Sequence, residues 1–236
     1  MQSEELMSDK LFYLLQVNDA LFPIGGYSHS QGLETYIQKG IVRDEKTAEE
    51  YILHKLKWNM EYTELLAVRL AWERAVASDL DGLLHLEEIM EASRLPAEQR
   101  DASKKMGSRF IKTVEKLGIP EVSDGIFADY VAARKGQVCN HPVVYGVYCG
   151  ALGIDLPNVL SHYLYAQTSA MVTNCVKSIP LSQTAGQKIL ADCYGCFQEI
   201  LASVVSLTED DLCLSAPGFD VRGMQHEKLY SRIYMS

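Results

Sequence analysis

Apolar residues return along this chain at alternating steps of three and four. Leu53, Leu56, Met60, Thr63, Ala67 and Leu70 share one face of a helix by that spacing. Thr47-Ala48-Glu49-Glu50, just upstream, has the form of a capping box with Thr47 as the N-cap. Ala102, Met106, Phe110, Val114 and Leu117 make a second stripe, ended by Gly118 and Pro120. Leu156 to Thr173 is a third helical candidate. No long alternation of apolar and polar residues competes, so the expected fold is all-α, a single-domain helical bundle.

A length of 236 residues suits one domain or two small ones, and no linker rich in Pro, Gly or Ser divides the chain. An apolar fraction of 47% excludes disorder. Acidic residues outnumber basic ones by 31 to 22, which argues against a nucleic-acid binder because phosphate recognition needs a basic surface. Met1 to Lys10 holds no apolar core of a signal peptide. The longest uncharged stretch, Gln137 to Ile154, has too short an apolar part to span a bilayer, where about 20 residues are needed. These readings point to a cytoplasmic protein off the membrane, with its six cysteines reduced.

Thr184 to Ser206 carries two adjacent apolar stripes, Ile189-Cys193-Cys196-Ile200-Val204 and Leu190-Phe197-Leu201-Val205, with only a narrow polar strip. It is expected to be the buried central helix. Cys193-Tyr194-Gly195-Cys196 raises redox or metal chemistry, but both thiols lie in an apolar stripe without a second Cys or His pair. Core packing is the favoured reading. Gly146 and Gly150, four apart, suit a tight helix crossing inside the bundle. Phosphate-loop, Rossmann, nucleophile-elbow and His-Glu-x-x-His signatures are all missing from the sequence, and no two histidines stand four apart.

Three polar segments stand out. In Ala20 to Glu34, Pro23 and the Gly25-Gly26 pair break one helix, and Ser28 or Ser30 is placed to cap the next. Tyr27, Ser28, His29, Ser30, Gln31 and Glu34 crowd eight positions, more than a capped corner requires. They make a polar network or a partner surface. Lys177 to Gln187, with Gln183 and Gln187, surrounds the turn at Pro180 and Ser182. The break at Ala216-Pro217-Gly218 divides residues 1–216 from a tail, 217–236, with His226, Glu227, Tyr230 and Arg232. With no periodic neighbour, that tail is either frayed or ordered by a partner.

The first segment resembles the signature of the UreF family of urease accessory proteins in Pro23, Gly25, Tyr27, Ser28, His29, Ser30, Gly32, Leu33 and Glu34. His141-Pro142 with Gly146, Pro180-Leu181-Ser182-Gln183 with Gln187, and His226-Glu227 with Arg232 follow in the family's order. Lys177 and Ser182 depart from it, standing where Arg and Gly are usual. Lysine keeps the charge without the bidentate fork of arginine.

The resemblance implies an all-α homodimer that is not an enzyme. Its expected partners are a UreD/UreH-type accessory protein, the nickel-carrying GTPase UreG and, through the complex, the urease apoprotein. It also implies that the complex handles nickel with no cofactor held tightly by this chain, and that a UreD-type partner orders the C-terminal tail. Arg232 matches a family arginine, in a family suggested to activate the GTPase. A tail anchor and a cation supplied to the γ-phosphate are its two readings. Two other classes compete: a small all-α enzyme using His29 with Glu34 or Glu227 as acid and base, and a generic helical adaptor.

Overall fold

The computed structural model describes residues 2–214 and 216–236, with side chains from Asp9 onward. Part of Met1–Lys10, read above as free of an export signal, thus lies outside the described residues. Helix α1 (Gln2–Asn18) leads through a 3-10 turn (Gly26–Ser28) to α2 (Leu33–Gln38). Helix α3 (Glu45–Lys55) continues through a π-helical stretch (Leu56–Leu65) into α4 (Leu66–Val76). Then come α5 (Leu80–Ser93), α6 (Ala97–Val114), α7 (Pro120–Ser123), α8 (Ile126–Ala133) and α9 (His141–Ala151). The chain closes with α10 (Leu156–Ser178), α11 (Gln183–Asp192), α12 (Tyr194–Val204) and α13 (Pro217–His226). No strand occurs among the described residues, and the fold is all-α as expected.

The caps follow local chemistry. Asp44, not Thr47, is the N-cap of α3. Its carboxylate accepts from the Thr47 amide at 2.9 Å, and the Thr47 hydroxyl faces the Asp44 amide at 3.1 Å. The box therefore starts three residues before the expected place, because aspartate caps as well as threonine and Thr47 serves as its third-position partner. Helix α6 ends as expected, passing through a 3-10 turn to Gly118 at φ 67° and Pro120. The π-helical stretch shifts the phase of the long 45–76 rod, since its turns hold more residues than α-helical ones. Beyond it, Leu66 to Ala71 are buried all round.

The core helix is α9, not the Thr184–Ser206 segment. His141 to Gly150 are all buried. Thr184–Ser206 is instead two helices meeting at Cys193, with Thr184, Gln187, Lys188, Ala191, Asp192, Gln198 and Ala202 exposed. Counting apolar stripes overestimated its burial. Ala191, Gly195, Ala202 and the polar residues between the stripes form a broad solvent face. Helix α9 crosses α4 closely: a β-carbon at residue 146 would sit 2.5 Å from the Val68 carbonyl oxygen, and one at 150 would sit 2.8 Å from Ala75 Cβ. Small residues thus serve this crossing. Cys193 and Cys196 pack in the core, and burial pushes the Cys193 thiol up to about 12.

Helix α13 docks on α2 and α3. Phe219 packs 6.0 Å, centroid to centroid, from both Tyr36 and Tyr51, and the Lys55 ammonium lies 4.7 Å from the Phe219 ring centre. Burial lowers Lys55 to about 8, with Glu64 opposing that shift.

Candidate functional site

The segment after α1 is pinned by apolar and backbone contacts before its polar groups come into play. Phe22 packs against Phe110 of α6 at 5.5 Å. Gly32 holds the N-cap position of α2 at φ 87°, a left-handed conformation open to glycine. A β-carbon there would meet the Gly223 backbone of α13 at 3.4 Å. Neither Ser28 nor Ser30 takes the cap. The Ser28 hydroxyl donates to the Gly25 carbonyl at 2.7 Å, and the Ser30 hydroxyl donates to the main-chain oxygen of Ser236 at 2.8 Å.

That last contact belongs to a clasp closing the tail over the segment. The Ser30 amide also donates to Ser236 O, at 2.6 Å, and the Met235 amide donates to Ser28 O at 2.8 Å. His29 Nδ1 lies 2.9 Å from Ser236 Oγ, while Asn174 of α10 donates to His29 O at 3.0 Å. Glu34 receives three groups at once. Its Oε1 accepts the Ile233 amide at 2.7 Å, and its Oε2 accepts the Tyr234 amide at 3.2 Å and faces His226 Nε2 at 3.3 Å. Glu98 faces His226 Nδ1 at 2.6 Å with one oxygen and takes Arg232 Nη1 on the other. Gln38 donates to Ser231 O at 2.6 Å, and Thr35 to Arg222 O at 2.9 Å.

The tail expected to be frayed or ordered by a partner is therefore ordered here by this chain's own residues. The physical reason is backbone accounting: an extended segment needs partners for its amides and carbonyls, and Ser28 and Glu34 accept the amides while Ser30 donates to the Ser236 carbonyl. Among the tail's apolar side chains, Tyr234 is buried within the chain and Leu229 half-buried. Tyr230 and Ile233 stand in solvent.

A buried carboxylate is tolerated only with donors around it, and Glu34, 5% exposed, has them. His29 is held below the usual histidine range, first by burial and then by the cationic Lys105 and Arg109, with Glu98 opposing. Its ring is accordingly neutral at physiological pH.

The clasp gathers Ser28, His29, Ser30, Glu34, His226 and Arg232 from the expected site residues. Glu227 flanks it, its carboxylate taking the Ala97 amide at 3.1 Å. Gln31 is half-buried beside it at φ 52°, and Tyr27 and Tyr230 project outward. Lys177, Gln183 and Gln187 are exposed around the Pro180 turn, where Ser182 caps α11 by accepting the Ala185 amide at 3.0 Å. That turn reaches the clasp through its neighbour Ser178, whose hydroxyl lies 3.4 Å from the Tyr234 phenol oxygen.

Sequence reasoning missed Glu98, Asn174 and Ser236. Glu98 reads as an ordinary acidic residue in the first turn of a helix, and no spacing links it to His226. A groove of about 420 Å³ beside α13, lined by Tyr36, Ile41, Tyr51, Trp58 and Phe219, carried no sequence signal either. Among the described residues, no group of three or more His, Cys, Asp or Glu side chains is placed to hold a metal ion.

Fold and site together define an all-helical protein whose C-terminal segment is clasped to its own N-terminal motif. The UreF family model matches residues 42–194, well over half of the sequence, and the chain belongs to that family of urease accessory proteins. The match takes in His141-Pro142, Gly146 and the Pro180 turn, while the two halves of the clasp flank it. No helix among the described residues is long and apolar enough to cross a membrane.

Proposed function

We propose that this chain is a non-catalytic scaffold of urease maturation. With a UreD/UreH-type partner it recruits the GTPase UreG and couples GTP hydrolysis to nickel insertion into urease. The UreF match carries this reading. The geometry is consistent with it: the clasp presents Tyr27, Tyr230 and Ile233 as exposed apolar groups around a polar cluster, the composition of a recognition surface. Nickel is cargo in this scheme, passed through the complex and not held tightly by the chain. The protein acts in the cytoplasm as a homodimer, without nucleic-acid partners.

Arg232 serves this reading as a tail anchor through its pair with Glu98. Supplying its guanidinium to a γ-phosphate in trans requires that pair to break first.

The test is a pull-down of the UreD-type protein and the GTPase by the full chain and by a chain ending at Lys228. The shortened chain keeps α13, including Phe219 in its aromatic contacts. The full chain is expected to capture both partners and the shortened one to lose the UreD-type protein. Capture of neither partner by the full chain defeats the proposal.

A further inference from the structure

His226 is fastened where geometry dictates its charge. It is 1% exposed, and each ring nitrogen faces a carboxylate oxygen, Nδ1 toward Glu98 at 2.6 Å and Nε2 toward Glu34 at 3.3 Å. A neutral imidazole carries one N–H and one lone pair. In that state one carboxylate, the buried Glu34 or the quarter-exposed Glu98, would meet a lone pair, replacing a charge-assisted hydrogen bond with a repulsive contact. Only the imidazolium donates to both. The ring also sits on the last residue of α13, where the helix dipole favours a cation.

We propose that His226 is a proton-operated latch. The imidazolium bridging Glu34 and Glu98 holds Leu229–Ser236 against the body, and loss of its proton releases that segment, uncovering His29, Ser30 and Glu34.

The surrounding charges set the direction. Glu34 faces the ring from α2, Glu98 from α6, and Arg232 of the tail pairs with the second oxygen of Glu98. Glu227, the next residue, is occupied by the Ala97 amide, and Arg222 of α13 bonds Gln225 at 2.8 Å. Lys105 and Arg109 act on His29, farther along the same cluster. With the proton in place, two carboxylates are balanced by imidazolium and guanidinium. Without it, two carboxylates share one guanidinium. The strain then falls on Glu34, from which the Ile233 and Tyr234 amides hang. The latch therefore tightens with falling pH and opens with rising pH. It concerns this chain alone and stands or falls independently of the partners proposed above.

The experiment uses the full chain labelled with 15N-histidine. At about pH 6.5, NMR is expected to show protons on both ring nitrogens of His226 while the Ile233 and Tyr234 amides are protected from exchange. The same spectra and exchange rates are then followed from about pH 6.5 to about pH 9, across the ordinary range for imidazole. Over the same interval protection of those amides, corrected for intrinsic exchange, falls about tenfold, the scale of one hydrogen bond to a charged group. In His226→Gln, which cannot take up the charge, protection is expected to be flat across the interval. A neutral His226 in the wild type at about pH 6.5 with the tail still protected overturns the latch. So does wild-type protection that is unmoved by pH, or a wild-type pH response retained in His226→Gln.

Discussion

His141 and His226 are both buried, yet their surroundings ask opposite things of the ring. His141 stacks on Tyr163 at 6.0 Å and meets Phe110 edge-on at 5.8 Å. Burial lowers its pKa to about 4, with Arg94 adding to the shift and Glu64 opposing it. The folded state thus prefers neutral His141, while the unfolded chain takes up a proton near the ordinary value of about 6.5. This histidine's contribution is fully present above that value and is lost as pH falls toward 4. At about 1.4 kcal/mol per pH unit, the loss across the window is about 3 kcal/mol. Urea denaturation of wild type and His141→Gln at pH 7 and pH 4.5 checks it. Buried acids such as Glu87 titrate in both proteins, so the difference between the two curves is the quantity to read, and equal pH slopes contradict the assignment. The sequence displayed His141-Pro142 as a motif. It did not show that the imidazole belongs to an aromatic nest, because Phe110 and Tyr163 come from helices distant in the chain.

Helix crossings were legible where small residues repeat, and obscured where burial depends on neighbours. Gly146 and Gly150 announced a close approach, and α4 supplies it through Val68, Ala71 and Ala75. Helix α9 itself was passed over as the core because eleven residues give little periodicity to read, and its burial comes from helices packed all around it. The 184–206 segment was longer and more visibly striped, but two stripes set beside one face do not enclose a helix. Glycine-to-alanine changes separate these environments by sign. Gly146→Ala places a methyl group 2.5 Å from the Val68 carbonyl, against packed backbone, and should cost about 3 kcal/mol. Gly195→Ala lies within α12 with nothing within 4 Å of the added carbon, and should stabilise by about 0.5–1 kcal/mol through backbone entropy. Chemical denaturation of the two variants beside wild type measures both. A destabilised Gly195→Ala would show that α12 is covered in solution on the side that appears open.

Across the whole molecule, two of the three polar segments meet directly and the third touches them at its edge. His29, Glu34, His226 and Arg232 were legible as unusual residues, but their convergence was not, since nearly two hundred positions separate Glu34 from Ile233. The tail looked dependent on a partner because it has no periodic neighbour, and an extended segment with distant hydrogen-bond partners leaves no pattern in sequence. Removal of Leu229–Ser236 tests how independent the body is of its clasp. The segment contains no helix, so far-ultraviolet circular dichroism of a chain ending at Lys228 should match the full chain in total helix signal. Loss of buried Tyr234 removes about 2 kcal/mol of apolar burial. For a chain of this length, that lowers Tm by about 4–8 °C. The bundle should still unfold cooperatively, because Phe219, Tyr36 and Tyr51 keep their contacts, while His29 becomes open to histidine-modifying reagents. A collapse of the helical signal would instead make the tail a structural member of the body, and release at His226 would then require the bundle itself to open.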